Sequence, residues 1–187
     1  MKLILGSKSP RRSELLTAIG FEFEIRTKDT DEIYPDTLPI EQVAEYIAQL
    51  KTDALIEDLK DDEILICADT TVQIDDLLLG KPKDTAEATK MLSLLSGRTH
   101  VVTTGVVIAS NEMELSFSVK TEVTFKPLSM DEIEYYIETY QPFDKAGSYG
   151  IQEWIGYIGI QKINGSYNNV VGLPTHEVYQ GIQKFIH

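Results

Sequence analysis

The stretch "LILGSKSPRRSELL", residues 3–16, decides how the chain is read. Its first three residues are apolar and predict a strand over 2–5. Gly6 and Ser7 make a turn. Ser9 and Pro10 then open a helix, since serine is a favoured N-cap and the fixed φ of proline suits the first helical position. The helix is expected over 10–19 and is closed by Gly20. Strand, tight turn and helix make the first unit of an α/β fold. Arg11 and Arg12 break a local rule, because they sit in the first helical turn, at the positive end of the helix dipole. Each uncompensated cation there costs about 0.3–1 kcal/mol. A bound anion is one compensation, since the free N–H groups of a helix start attract phosphate. A plain strand-to-helix turn with solvated arginines is the other reading.

The rest of the chain extends the alternation. "FEFEI" (21–25) has the period of a half-buried strand. A polar loop follows, and residues 39–58 carry a helical pattern with Pro39 near its start. "EILICAD" (63–69) is an apolar strand ending in Asp69, and "TVQIDDLLLGKP" continues as strand, acidic turn at Asp75-Asp76 and return strand. Asp84 with Glu87 resembles a capping box opening a helix to about residue 95. Two β-rich runs, 96–110 and 113–125, flank a turn and predict a hairpin. Ser129 with Glu132 caps a helix to about Tyr140. Residues 141–156 are loop-rich, 157–163 read as a strand, 164–169 as a turn region and 175–186 as a last helix. No repeat or linker stands out. The expectation is an α/β chain with a mixed sheet, forming one domain over 1–187 or two closely joined lobes.

Composition bounds the partners. The chain has 187 residues, 42% of them hydrophobic, enough for a substantial core. Its 17 basic and 30 acidic residues leave a net charge of −13. That balance argues against nucleic acid, whose binding needs a basic face, and against anionic membranes. A small anionic substrate stays compatible if positive charge is local or a cation is recruited. The single cysteine, Cys67, allows no internal disulfide and predicts a reducing, cytoplasmic home. The N-terminal apolar run is too short for a signal peptide, and no run approaches the ~20 residues of a transmembrane helix.

Other residues break local rules. Steps of three and four from Ala44, Ile47 and Ala48 land on Lys51, which puts it on the stripe facing the core. A lysine snorkelling from the edge of that stripe explains the pattern equally well. Asp69 ends an apolar strand, where open α/β sheets bind ligands, so it is a candidate metal ligand or general base. A turn-forming aspartate is its plainer explanation. Thr70 and Thr71 read singly as strand formers. Lys81, between Gly80 and Pro82, is displayed in an extended segment and suits a phosphate, or simply solvent. Asp31 and Glu32 read alone as solvated loop carboxylates. Gln152 ends "DKAGSYGIQ" (144–152), and its amide offers a donor and an acceptor together, as one edge of a nucleobase requires. His100, His176 and His187 show no zinc-like spacing, and no P-loop, dinucleotide fingerprint or nucleophile elbow is present.

Taken in order, "SKSPRRSELL", the acidic pair at 31–32, Lys51, "ADTTV", "GKP", "SGRTHVVTTGV", "DKAGSYGIQ" and "INGSYNNVVGLP" resemble the Maf family of nucleotide pyrophosphatases over residues 7–174. The resemblance implies a fold related to inosine-triphosphate pyrophosphatases, with a mixed elongated sheet, helices around it and two lobes flanking a cleft, often as a homodimer. It implies hydrolysis of a nucleoside triphosphate to the monophosphate and pyrophosphate with Mg²⁺ or Mn²⁺. "DKAGSYGIQ" looks like the branch acting on dTTP and UTP. The family pattern places functional weight on Ser7, Arg11, Arg12, Glu32, Lys51, Asp69, Lys81 and Gln152. On this reading Arg12, Lys51 and Lys81 hold phosphates beside the helix start after Ser7, and Arg11 joins them in substrate binding. Glu32 and Asp69 hold the metal, and Asp69 also orients or deprotonates the attacking water. Gln152 meets the pyrimidine edge, with Thr71 a weaker candidate nearby. Two alternatives stand beside it: a pyrophosphatase for damaged nucleotides, and a nucleotide-binding regulator of septum formation and cell division that acts through a protein partner.

Overall fold

A computed structural model describes residues 1–186. In chain order the elements are β1 (Lys2–Leu5), α1 (Pro10–Ala18), β2 (Phe23–Ile25), α2 (Val43–Ile56), β3 (Glu63–Ile74), β4 (Leu77–Leu79) and α3 (Thr85–Leu95). They continue as β5 (Thr99–Ala109), β6 (Glu114–Phe125), α4 (Met130–Tyr140), α5 (Trp154–Gly159), β7 (Ile160–Asn164), α6 (Tyr167–Val171) and α7 (Thr175–Ile186). The strands form one mixed sheet in the order β2-β1-β3-β5-β6-β7, with β4 added to β3. β1 runs parallel to β2 and β3, whereas the β3–β4 and β6–β7 pairs are antiparallel. The expected α/β fold with a mixed sheet is what the chain forms.

The chain divides into two compact units. The first comprises Met1–Thr70, Thr104–Val119 and the chain from Gly172 onward; the second comprises Thr71–Thr103 and Lys120–Val171. In the first unit, Leu3, Leu5, Ile64, Ile66 and Ala68 pack with Leu16 of α1 and with Val178 and Ile182 of α7. Ile4, Leu65 and Cys67 pack with Leu55 of α2 and Leu59. Successive strand residues point to opposite faces, so a strand covered by helices on both sides is apolar at every position. That is why "ILICA" contains no polar residue. In the second unit Val72, Ile74, Leu92, Val102, Phe125 and Tyr136 belong to a separate core.

The caps form largely as their sequence signals predict. The Asp84 carboxylate accepts from the Glu87 N–H at 2.8 Å, while the Glu87 carboxylate takes the Lys83 N–H at 2.8 Å. Ser129 and Glu132 complete both halves of a capping box. Gly20, expected to close α1, adopts a left-handed φ of 90° after it.

Three expectations change. β3 does not stop at Asp69 but runs on to Ile74 as one strand. Its β-branched continuation Thr70-Thr71-Val72 favours extension, and Val72–Ile74 pair with β4. The first three residues of the strand expected over 157–163 belong to the helix α5, and β7 begins only at Ile160. Gly156 permits this, because a Cβ there would lie 1.9 Å from the Ile151 carbonyl oxygen. The turn expected over 164–169 includes the start of α6. Asn169 there is buried and donates its amide to the Val102 carbonyl at 3.1 Å and to Thr121 Oγ1 at 2.9 Å. Those tertiary bonds hold a helix whose two asparagines have poor local propensity.

Candidate functional site

The start of α1 is built as the opening stretch suggests, with Ser9 extended at the N-cap and Pro10 at the first helical position. The serine hydroxyl makes no cap bond; Ser7 Oγ instead accepts the Ser9 N–H at 3.2 Å. The same oxygen accepts from Arg12 Nη1 at 3.2 Å. Arg12 also donates from Nε to the Gly172 carbonyl at 2.9 Å and from Nη2 to Thr70 Oγ1 at 3.1 Å. Thr70 is tied in turn to Thr104 at 2.9 Å. Part of the compensation for an arginine at the helix start is therefore internal: a rigid fork spread over three acceptors. Burial lowers the Arg12 pKa, and the nearby Asp69 charge opposes that shift. Arg11 is half-buried on the same turn.

Lys51 pairs with two carboxylates. Its side chain is 16% exposed, and Nζ lies 2.6 Å from Asp69 Oδ1 and 2.9 Å from Glu32 Oε1. The register explains the contact. Leu65, Cys67 and Asp69 share one face of β3, and the first two pack under Leu55 of α2. Lys51 is one helical turn before Leu55, so it meets the next residue of that face, Asp69. Thr70 follows Asp69 and points the other way, to Arg12. Along β3, β1 pairs with Glu63–Ile66, so Asp69 lies past the end of β1, as ligand-binding residues of open α/β sheets do.

Arg12 and Lys51 stand with two carboxylates, Glu32 and Asp69, whose charges both oppose the lowering of the Arg12 pKa by burial. The two carboxylates converge, because an oxygen of each lies within 3 Å of one ammonium. Hard oxygen donors in a convergent pair fit Mg²⁺ or Mn²⁺, which bind through one or two carboxylates and complete their shell with phosphate and water. Among the described residues no group of three or more His, Cys, Asp and Glu side chains converges.

The histidines and the cysteine have other places. His100 is buried against Phe125 and hydrogen-bonded to the Tyr149 hydroxyl at 2.7 Å, and burial lowers its pKa to about 4. His176 is exposed, and His187 lies outside the described residues. Burial raises the Cys67 thiol to about 11, which suits a core residue rather than a nucleophile.

The remaining expected site residues belong to the second unit. Lys81 is exposed between Gly80 and the buried Pro82. The Gly80 carbonyl accepts the Gly147 N–H at 3.1 Å, which ties the Lys81 loop to the segment leading into Gln152. Gly147 and Ser148 both take left-handed φ, 70° and 62°. A side chain at Gly147 would also meet Val72 at 3.0 Å. Gln152 is half-buried, and its Oε1 is buried with no hydrogen-bond partner among the described residues. Thr71 Oγ1 reaches only the Thr103 carbonyl, at 3.5 Å.

Behind Gln152 stands a set that sequence reasoning missed. The Tyr136 hydroxyl accepts the Gly150 N–H at 3.0 Å and donates to Glu153 Oε2. Glu153 Oε1 lies 3.1 Å from Lys145 Nζ, which also holds Asp144 at 2.7 Å. Tyr136 sits one turn after Ile133 on the apolar face of α4, and so reads from sequence as core. Its hydroxyl has no signal of its own.

The Staphylococcus aureus Ham1 protein superimposes on the chain with a TM-score of 0.57, over all of both chains at 14% identity. That defines the fold class. The family model described as Maf-like protein matches residues 2–185, and the chain belongs to the Maf family. Two relatives named dTTP/UTP pyrophosphatase are each 50% identical to it. The one from Phocaeicola vulgatus aligns over 98% of this chain and 95% of its own, and that from Porphyromonas gingivalis over 98% and 94%. No helix among the described residues is long and apolar enough to cross a membrane.

Proposed function

We propose that this protein is a pyrophosphatase of dTTP and UTP. Water attacks the α-phosphorus, the bond from that phosphorus to the α,β-bridging oxygen breaks, and the products are the nucleoside monophosphate and pyrophosphate. The observation that carries the reading is Lys51 bridging Asp69 and Glu32, beside Arg12. The full-length similarity to relatives bearing that name supports the substrate class.

In this reading Arg12 and Lys51 neutralise phosphate charge that grows on the leaving group, and Ser7 holds the Arg12 fork in place. Arg11 adds charge at the same helix start. Asp69, only 15% exposed, orients the attacking water and accepts its proton. Glu32 and Asp69 would hold Mg²⁺ or Mn²⁺, which when bound supplies charge neutralisation and a more acidic water. Lys81 is a further phosphate contact and Gln152 the contact to the base. Thr71 is at most a secondary contact, since its hydroxyl faces its neighbouring strand. The protein is read as a cytoplasmic enzyme of free nucleotides, working as a homodimer.

The test is pyrophosphate release by purified protein with Mg²⁺ across dTTP, UTP, CTP, ITP, GTP and 7-methyl-GTP, with EDTA and Asp69→Asn controls. Selective, metal-dependent release from dTTP and UTP is expected. Binding of dTTP without release, or equal release from ITP or GTP, would overturn the assignment. Light scattering of the same sample tests the dimer.

A further inference from the structure

We infer that the hydroxyl of Tyr136 is the positioning group that sets base selectivity, by bracketing Gln152 within its loop. The inference rests on Gln152 meeting the base. One oxygen is bonded to both sides of that residue. It accepts the N–H of Gly150, two positions before, and donates to the carboxylate of Glu153, one position after. Glu153 is held from its other oxygen by Lys145, whose side chain is only 10% exposed. The fold of the loop is correspondingly tight: a Cβ at Gly150 would lie 2.8 Å from the Glu153 carboxyl carbon and 3.1 Å from Lys145 Cε. The segment enters through two successive left-handed residues and is fastened at Gly147 to Gly80. A turn held at so many points has little freedom to re-aim the side chain between them.

That restraint matters because an amide is ambiguous. Uracil and thymine present an N3–H donor beside carbonyl acceptors, whereas cytosine presents an N3 acceptor beside an amino donor. A carboxamide offers one acceptor and two donors, and rotation by a half-turn exchanges them. A loosely held glutamine therefore accommodates all three bases. Gln152 Oε1 is buried with no donor from the described residues, and a buried acceptor left so by the chain takes its donor from water or from a ligand. The N3–H of uracil or thymine is such a donor. Selectivity then depends on what prevents the half-turn, and the loop on both sides of Gln152, through the Gly150 N–H and the Glu153 carboxylate, hangs on the Tyr136 hydroxyl.

Tyr136→Phe removes that hydroxyl and keeps the ring in its core. Steady-state kinetics of pyrophosphate release with UTP and CTP provide the readout. The expected result is a KM for UTP raised about tenfold or more, kcat within about threefold of wild type, and a UTP-to-CTP ratio of kcat/KM reduced about tenfold or more. Glu153→Gln, whose carbonyl still accepts from the hydroxyl, should keep most of the ratio, whereas Glu153→Leu should lose it. A purely structural tyrosine would lower the melting temperature and leave the KM and the ratio unchanged, and that result overturns the inference. Gln152→Ala separates the premise from the conclusion. If Gln152→Ala leaves the ratio intact, the assignment of Gln152 to the base is wrong. If it collapses the ratio while Tyr136→Phe does not, only the bracketing by Tyr136 is wrong.

Discussion

Substituting Gly105 by alanine tests how Lys51 is held over β3. Gly105 lies in β5, and a Cβ there would fall 2.2 Å from the Glu45 backbone nitrogen, 2.3 Å from its Cα and 2.4 Å from the Ala44 carbonyl carbon. Ordinary contact begins at 3.4 Å, so α2 must retreat by about 1.2 Å (3.4 − 2.2). The obstacle is helix backbone, which has no rotamer to change. Overpacking a core typically costs about 1–3 kcal/mol, and a clash with backbone belongs at the upper end. At about 2–4 °C per kcal/mol for a chain of this size, a cost of about 3 kcal/mol lowers the melting temperature by about 6–12 °C. Lys51 is six residues beyond Glu45, about 9 Å along the same helix. A rigid retreat takes its 2.6 Å contact with Asp69 out to about 3.8 Å, past hydrogen-bond length. A displacement near 1 Å costs on the order of 100-fold in kcat/KM. Thermal denaturation and dTTP turnover on one preparation are the assays. Glycine-to-alanine changes at compatible positions stabilise by about 0.4–1 kcal/mol, so the two expectations differ in sign. A Gly105→Ala protein as stable and active as wild type would refute the packing argument and the coupling to Lys51 together.

Three further predictions concern single interactions. Asp69→Asn should lower dTTP turnover by about 10²–10⁴-fold while circular dichroism stays native, since a positioned general base contributes on that scale. Arg12→Lys replaces a fork serving Gly172, Ser7 and Thr70 by one point charge, and should raise the KM for dTTP about tenfold or more in steady-state assays. Glu63 accepts both arms of the Arg26 guanidinium at 2.8 and 2.9 Å, and this holds its carboxyl down from 4.5 to about 2. A depressed carboxylate stabilises the fold above its unfolded value, and that contribution is lost as pH falls from about 4.5 toward 2. Glu63→Gln should therefore lower the melting temperature at pH 7, by about 1.5–3 kcal/mol of stability. It should also flatten the acid limb of a melting-temperature profile between pH 4.5 and 2.

Local signals were legible wherever a few neighbouring residues decide the outcome. The turn and helix of 3–16, the capping residues Asp84 and Ser129, and the hairpin of β5 and β6 formed where their residue types require them. Asp69 was legible as the end of an apolar run, yet the run and the strand end at different places. Its β-branched successors carry the backbone onward, and burial lapses over Asp69–Thr71 before it resumes at Val72 and Ile74. Residues 157–159 failed for the opposite reason: Tyr157 and Ile158 suit a strand by propensity, and the close approach at Gly156 and Gly159 admits a helix instead.

The alternation of the chain, its net negative charge and the rule-breaking positions Arg12, Lys51 and Asp69 follow from the sequence by itself, because charge, period and propensity can be read along the chain. Which of those residues meet was decided by tertiary structure alone. Lys51 and Asp69 are 18 residues apart, and their contact depends on the register of α2 over one face of β3. Glu32, a loop carboxylate without local distinction, takes its place from the same ammonium. Tyr136 gains its bond to Gly150, 14 residues away, only because α4 buries its ring beside that loop. Such contacts are set by packing between distant segments, and a pattern confined to one segment carries no record of them.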